Sequence, residues 1–477
     1  MKTKRPVGAI VLAAGLGTRM KSRRAKVLHL LGGKPLIGYP LSILRELGID
    51  PIVVVVGHQQ QAVRAACAPY GVQFVAQEEQ RGTGHAVRMA ASALRKFRGD
   101  LLLVNGDLPL LRRESYAGLV RTHGRKQAAV SLLTAVVDDP GGFGRIVRSP
   151  AGKRRDITAI VEHKDATPEQ LAIREVNVGL YCADALFLFA AIKELRPSPV
   201  TKEYYLTDVI ASAVRRGRPI GDFQAQPIEG TQISTRTDLA AVEQMQREHI
   251  AARWLEQGVT IEDPDTAYIG PDVKIGQDAI LGPNTVLRGK TIIGAECRIE
   301  GSAWIVDSVL GERVHVRPGV MMTEAKIASE AILGPFAQLR PGTVLGRGVH
   351  IGNFVETKQA VIGDGTKANH LAYIGDAEVG EQTNIGAGTI TCNYDGFRKH
   401  KTTIGARVQV GSDTQLVAPI TIGDDAYIST GSTVRQDVSP GALYFNPKRE
   451  MERPGWVAAR REKEASSPPP RRRSRAK

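Results

Sequence analysis

The 477-residue chain has only four cysteines, Cys67, Cys182, Cys297 and Cys392, each more than 80 residues from the next. With no CxxC pair and no Cys/His cluster, the sequence supports neither a disulfide framework nor a structural zinc site. A reducing compartment, the cytoplasm, is expected. No stretch approaches the roughly 18 apolar residues of a membrane-spanning helix, so no membrane span or membrane partner is predicted. The apolar run of residues 7–14 behind Lys2, Lys4 and Arg5 imitates a signal peptide. It passes instead into Gly15-Leu16-Gly17-Thr18-Arg19, which reads as a strand entering a phosphate loop. Aromatic residues are sparse at 5%, whereas glycine is abundant at 50 residues. That glycine has no three-residue period, which excludes collagen, and long apolar-periodic segments exclude a disordered chain.

The net charge of +15 is unevenly distributed. Lys448 to Lys477 holds eleven basic and four acidic residues and contributes +7, leaving a modest +8 over the preceding 447 positions. Nothing that reads bases accompanies the terminal cluster, so no specific nucleic-acid partner is predicted. Anionic small molecules are the better match to the remaining charge.

The first half alternates short β-branched segments with helical periodicity. Strands are predicted at 9–13, 52–56, 72–76, 101–104 and 130–136, and helices at 36–47, 60–68, 85–97 and 113–123. This is the pattern of a mostly parallel α/β sheet covered by helices, with ligands collecting at the carboxyl ends of the strands. Leu239, Val242, Met245, Ile250 and Trp254 then mark one face of a long connecting helix, with Gly258 as its C-terminal cap.

Beyond Gly258 the period becomes six. Ile269-Gly270, Ile275-Gly276, Leu281-Gly282, Ile293-Gly294, Leu333-Gly334, Ile351-Gly352, Ile385-Gly386 and Ile422-Gly423 belong to a series spaced near multiples of six. An aliphatic residue followed by glycine in each hexapeptide predicts a parallel β-helix, with the aliphatic side chains stacked inside a narrow prism. The expected divisions are 1–237 for the α/β domain, 238–258 for the linker helix, 259–445 for the β-helix and 446–477 for a basic, disordered tail.

Leu12-Ala13-Ala14-Gly15-Leu16-Gly17-Thr18-Arg19-Met20, with Lys26 following, suits close approach of backbone amides and cations to phosphate oxygens. With Lys26-Val27-Leu28-His29 it resembles the sugar-1-phosphate nucleotidyltransferase superfamily. Further matching segments are Gln77 with Gln80–Ala86, Asn105-Gly106-Asp107, Gly142–Ile146, Ile160–Ala166, Glu175–Gly179 and Glu203–Asp208. Together with the hexapeptide half they resemble the bifunctional N-acetylglucosamine-1-phosphate uridylyltransferase/glucosamine-1-phosphate N-acetyltransferase family, over about Val7 to Leu443.

The resemblance implies a Rossmann-like nucleotidyltransferase domain and a left-handed parallel β-helix acting on UTP, acetyl-CoA and glucosamine 1-phosphate. In the first domain it implies that Leu12, Ala13, Ala14 and Gly15 hold the nucleotide and that Arg19 and Lys26 hold its phosphates. Gln77, Gly82 and Thr83 would recognise uracil, and Gly144, Glu162, Asn177 and Tyr205 would surround the sugar. Asp107 would hold Mg²⁺, a hard cation suited to carboxylate oxygen. The family's second metal ligand, an asparagine, has no counterpart in Glu229–Arg236. Ser234 aligns best, with Gln232 as the alternative.

In the second half the resemblance implies His370 as the base that deprotonates the substrate amine, a role suited to imidazole. Arg340, Lys358 and Lys399 would clamp the phosphate, with Tyr373, Asn384, Asn393 and Tyr394 about the sugar. Ala387, Ser412 and Thr430 would contact acetyl-CoA, with Lys448 or Arg449 supplying charge for the CoA phosphates. It also implies a homotrimer. Two other readings fit the same folds: a related enzyme using thymidine nucleotide and glucose 1-phosphate, and a non-catalytic regulatory subunit. The second would be expected to lose Arg19, Lys26 and Asp107, which this chain keeps.

Overall fold

The computed structural model describes residues 5–149, 156–231, 233–447 and 450–466. It divides into two compact units, Met1–Glu330 and Ala331–Lys477.

The first unit opens with a nine-stranded sheet. Its strands are β1 (Val7–Ala13), β2 (Ile52–Val56), β3 (Gln73–Ala76), β4 (Asp100–Asn105), β5 (Val130–Val136), β6 (Arg145–Arg148), β7 (Ile157–Val161), β8 (Glu175–Asp184) and β9 (Ile220–Gln224). The spatial order is β9-β5-β8-β4-β1-β2-β3, with the β6–β7 hairpin attached to β8. Every pairing along that order is parallel except those of β8, which runs antiparallel to β4 and β5. The mostly parallel sheet expected from the sequence is therefore present. β8 was not among the predicted strands because its run Val176-Asn177-Val178-Gly179-Leu180-Tyr181-Cys182 lacks an alternating pattern. It is buried on both faces, and such strands read as continuous apolar stretches.

Alternation along β1 sorts its side chains between two cores. Ala9, Val11 and Ala13 pack on one side with Leu41, Leu44 and Val54, while Ile10 packs on the other with Val53, Val87 and Leu103. The covering helices are α1 (Gly38–Glu46), α2 (Gln60–Cys67), α3 (Thr83–Ala90), α4 (Arg113–Lys126), α5 (Ala185–Ala191) and α6 (Asp208–Arg215). The helix expected to reach residue 97 ends at Ala90.

The long helix α7 spans Arg236–Glu256 and is closed at its start by a capping box between Thr235 and Asp238. Val242, Ile250 and Trp254 of the expected face are buried, whereas Met245 is exposed. Gly258, at φ +84°, supplies the left-handed residue just past the end. α7 is tied to the sheet domain by the Glu243 carboxylate, which accepts the Gly32 amide at 2.9 Å, and by Val242, which packs with Leu31, Leu36 and Tyr39.

The hexapeptide strands begin at Thr260–Ile261, paired in parallel with Ile280–Leu281 and then Arg298–Ile299 one coil at a time. In the second unit the same arrangement runs from Ile332–Leu333 to Leu443–Tyr444. These coils are consistent with the expected left-handed parallel β-helix. Aliphatic residues such as Ile351, Ile374, Val410 and Ile428 fill the interior and are almost wholly buried. Glycine is demanded where coils stack: a Cβ on Gly411 would lie 2.5 Å from the Thr430 amide nitrogen. The expected disordered tail from residue 446 is corrected in part. Trp456–Ala465 forms a fully exposed helix, α8, where Ala458, Ala459, Arg460, Arg461, Glu462, Lys463 and Glu464 are good helix formers. Residues 467–477 lie outside the described residues.

Candidate functional sites on the sheet and in the coils

β1 and β4 are parallel neighbours, with Leu12 beside Asn105, so their carboxyl ends bring two loops together. The Gly106 amide donates to the Leu12 carbonyl at 2.8 Å. From these loops Lys26 and Asp107 meet, Nζ to Oδ2 at 2.6 Å. Gly17 adopts φ +62°, and a Cβ there would stand 2.7 Å from the Lys26 Cβ. The loop conformation and the placing of the lysine are thus one feature. Ala13 and Ala14 are buried beneath the loop, and the space about Gly15 is open.

A pocket of about 170 Å³ opens at these strand ends. Thr83, Asp107, Gly144, Glu162 and Asn177 line it, five of the residues expected from the sequence. Asn177 is fixed by donating from Nδ2 to the Tyr181 hydroxyl at 2.6 Å and by accepting the Gly179 amide at 3.2 Å. Glu162 accepts the Thr207 hydroxyl at 2.9 Å. Burial pushes its carboxyl above the ordinary value, the Thr207 bond opposing and Asp208, Asp165 and Glu203 adding to the rise. Thr83 Oγ accepts the Leu206 amide, which fixes the start of α3 against the Glu203–Asp208 segment.

Gln77 is buried; its amide donates to the Gly82 carbonyl and meets the His85 ring nitrogen at 2.9 Å. Gly82, at φ +96°, passes so close to the Tyr204 carbonyl that a Cβ would sit 2.6 Å away. The other nine residues expected about the nucleotide and sugar, Tyr205 and Arg19 among them, are not part of the pocket lining. Tyr205 is not among its lining residues; its hydroxyl bonds that of Thr201 at 2.6 Å, and Leu206 and Thr207 face the pocket instead. Arg19 lines an adjoining cleft with Asp138, Asp139, Ser234 and Asp238. Thr207 was not singled out from the sequence, although it lies within the Glu203–Asp208 motif.

For a divalent metal, Asp107 supplies a carboxylate. The Ser234 hydroxyl is buried with no hydrogen-bond partner, in a segment whose Ser234 and Thr235 amides both donate to Asp238 at 2.8 Å. Each of the two is a hard oxygen donor suited to such an ion, Asp107 lining the pocket and Ser234 the adjoining cleft. Gln232 lies outside the described residues. Among the described residues no group of three or more His, Cys, Asp or Glu side chains could hold a metal, so water and substrate oxygens would have to complete the shell.

In the second unit, strand register assembles the expected acetyl-transfer residues. Lys367–His370 pairs with Asn384–Ile385, then Gln409–Val410, then Tyr427–Ile428. Ala387, Ser412 and Thr430 each stand two residues beyond the aligned aliphatic position, and His370 takes the same place one coil earlier. The Asp413 amide donates to the Ala387 carbonyl and the Gly431 amide to the Ser412 carbonyl, so the column is laced along one corner. His370 is exposed. Tyr373 begins the next strand, directly across the Leu371-Ala372 turn.

The next face of the coils gathers the cations. Lys399 stands within hydrogen-bonding reach of Lys358. Its ammonium, with Arg340 acting in the same direction, holds the Lys358 amine below the ordinary lysine value; Asp376 opposes. Like charges held together this way form a site for an anion. Arg340 is steadied by Glu356 at 2.6 Å. Asn393 is buried, with its amide on Asp376 and reaching the Tyr373 hydroxyl at 3.4 Å.

Lys399 rides on a hairpin that sequence reading did not explain. One Asp395 carboxylate oxygen accepts the Phe397 and Arg398 amides, and the other meets the His400 ring at 2.7 Å. These bonds, the Arg398 amide foremost, pull the carboxyl down to about 2. The Tyr394 hydroxyl donates back to the Gly396 carbonyl. The Asp-Gly turn within Asn393–Lys399 was the available signal. Lys448 and Arg449 lie outside the described residues.

An α/β sheet with a glycine-bearing loop and an acidic pocket at its carboxyl ends, joined in sequence to hexapeptide coils, is the architecture of a nucleotidyltransferase carrying a β-helix. A MobA-like NTP transferase domain matches residues 9–258. The Bifunctional protein GlmU of Anaeromyxobacter sp. (strain Fw109-5) is 47% identical over 460 residues, which are 96% of this chain and 93% of that protein. That of Trichlorobacter lovleyi is 46% identical over 456 residues, 95% and 98% of the two chains. A solved UDP-glucose pyrophosphorylase complexed with UDP-glucose is 16% identical with TM-score 0.43, covering 51% of this chain and 99% of the other. The chain belongs to the GlmU family of bifunctional proteins. It is a nucleotidyltransferase and acetyltransferase in one polypeptide, as the sequence led us to expect. Among the described residues no helix is long and apolar enough to cross a membrane.

Proposed function

We propose that the coils acetylate glucosamine 1-phosphate and that the sheet domain then converts the product to UDP-N-acetylglucosamine. The observation that carries this reading is the register column His370, Ala387, Ser412 and Thr430 beside the cation cluster of Arg340, Lys358 and Lys399. The cluster holds the sugar phosphate, and Tyr373, Asn384, Asn393 and Tyr394 orient the ring. His370 takes a proton from the ammonium group, and the free amine attacks the thioester carbon of acetyl-CoA. The new C–N bond forms as the C–S bond breaks, and the CoA thiolate leaves with a proton. Ala387, Ser412 and Thr430 line the path of CoA, and Lys448 or Arg449 meets its phosphates.

In the sheet domain, a phosphate oxygen of N-acetylglucosamine 1-phosphate attacks the α-phosphorus of UTP, and pyrophosphate departs. No protein nucleophile takes part; positioning and charge neutralisation carry the step. Leu12, Ala13, Ala14 and Gly15 hold the nucleotide, Arg19 and Lys26 its phosphates, and Gln77, Gly82 and Thr83 its uracil. Gly144, Glu162 and Asn177 contact the sugar, with Tyr205 acting through Thr201 and the adjoining Leu206-Thr207 segment. Asp107 and Ser234 would hold Mg²⁺, which when bound neutralises phosphate charge. The functional divisions are 1–237, 238–258 and 259–445, in a cytoplasmic homotrimer. The exposed position of His370 suits a site completed by a neighbouring copy.

Supplying glucosamine 1-phosphate, acetyl-CoA, UTP and Mg²⁺ together, then omitting each in turn, tests the scheme by mass spectrometry. UDP-glucosamine forming when acetyl-CoA is omitted would overturn the order of steps. Thymidine triphosphate outcompeting UTP would favour the thymidylyl alternative. Light scattering on a gel-filtration column tests the assembly, and an active monomer would refute the trimer.

A further inference from the structure

A second concave site lies away from both sets of residues, where α7, the Lys34 turn and the first hexapeptide coils meet. The cleft is about 620 Å³. Its charge is one-sided. Lys34 is spent on Asp272, at 3.1 Å, and on the Ser42 hydroxyl. Arg253, Lys274 and Lys290 also line it, and among the described residues none of the three forms an ion pair. Arg253 is half-buried, and burial lowers its pKa, the mark of a cation held where no counter-charge repays its desolvation. Its guanidinium lies 4.9 Å from the ring of Trp254, which is 7% exposed. The Trp254 indole N–H and the Arg253 Nε–H are both buried without an acceptor. Unsatisfied buried donors are uncommon enough to need a reason, and both belong to residues lining this one cleft. Tyr70, Pro69 and Pro271 complete it with apolar surface, and the volume exceeds what a bare inorganic ion fills.

We propose that this cleft binds a small organic phosphate, its dianionic group held by Arg253, Lys274 and Lys290 and its carbon skeleton against Tyr70 and Pro271. Nothing in the two transferase reactions uses these residues, so the ligand is an effector or a stabiliser of the α7 junction, not a substrate.

The chain contains three tryptophans, Trp254, Trp304 and Trp456. In full-length protein carrying Trp304→Phe and Trp456→Phe, Trp254 becomes the sole indole reporter. Glucose 6-phosphate, inorganic phosphate and chloride are titrated separately at constant ionic strength. The expected result is a saturable change in Trp254 emission with glucose 6-phosphate, at least tenfold weaker with inorganic phosphate. Lys274→Gln with Lys290→Gln, both exposed and tolerant positions, is expected to weaken it a further tenfold, and Arg253→Gln to do the same. Equal affinity for inorganic phosphate would overturn the organic ligand. An emission change also produced by chloride, or unaltered by the lysine substitutions, would overturn the site.

Discussion

His370→Ala removes the proposed base from an exposed strand end, where it fills no core space and its loss opens no cavity. The neighbouring cations Arg340, Lys358 and Lys399 stay in place, so binding of the sugar phosphate should be preserved. A positioned general base contributes roughly 10² to 10⁴-fold to a proton transfer. At about 1.36 kcal/mol per decade, the variant should therefore lose ~3–5 kcal/mol of transition-state stabilisation. The loss should appear in kcat, with KM for glucosamine 1-phosphate within about threefold of the parent, because the base touches the amine and not the phosphate. Thiol release from acetyl-CoA reports the acetyl step, and pyrophosphate release from UTP with N-acetylglucosamine 1-phosphate reports the other. Uridylyl transfer should be unchanged, since Lys26, Asp107 and Glu162 stand in the other compact unit. A loss below tenfold would refute His370 as the base, and a parallel loss of both activities would refute the division of labour.

Three further outcomes follow from the same geometry. Lys399→Met should raise KM for glucosamine 1-phosphate more than it lowers kcat. It should also return the Lys358 amine toward its ordinary value, because the first cause of its depression is removed, as NMR titration of the ε-methylene would show. Glu162→Gln should weaken sugar binding yet raise the melting temperature near neutral pH. Burial raises the folded-state pKa of Glu162, so its contribution to stability is present below the ordinary value of 4.5 and lost as pH rises through the folded value. The thermal advantage of the glutamine variant should therefore vanish in acid, and an advantage independent of pH would count against the reasoning. Gly411→Ala drives a Cβ to 2.5 Å from the Thr430 amide, and overpacking of this kind costs about 1–3 kcal/mol or more. Calorimetry should show destabilisation, with acetyl transfer more sensitive than uridylyl transfer.

The repeating coil was legible because its code is local: one aliphatic residue inward and one glycine at the stacking corner, every six positions. The parallel half of the sheet was equally plain, since β1, β2 and β4 are short β-branched runs between helical segments. β8 was not, because a strand buried on both faces has no period to read. Site residues carried by contiguous motifs, such as Asp107, Glu162 and Asn177, could be named from sequence and do line one pocket. Thr207, Asp395 and His400 could not, since each acts through a bond to another residue that only folding supplies.

Local chemistry in the chain thus determined the kinds of element, the phosphate loop and the inventory of charged and basic groups. Proximity was decided by the tertiary structure. Parallel register between β1 and β4 places Lys26 on Asp107 across 81 positions of sequence, and coil register sets His370 in line with Ala387, Ser412 and Thr430. The cation trio shows the same division. Arg340, Lys358 and Lys399 are ordinary surface charges in the sequence, and their mutual repulsion, on which the proposed phosphate site rests, exists only once the coils stack.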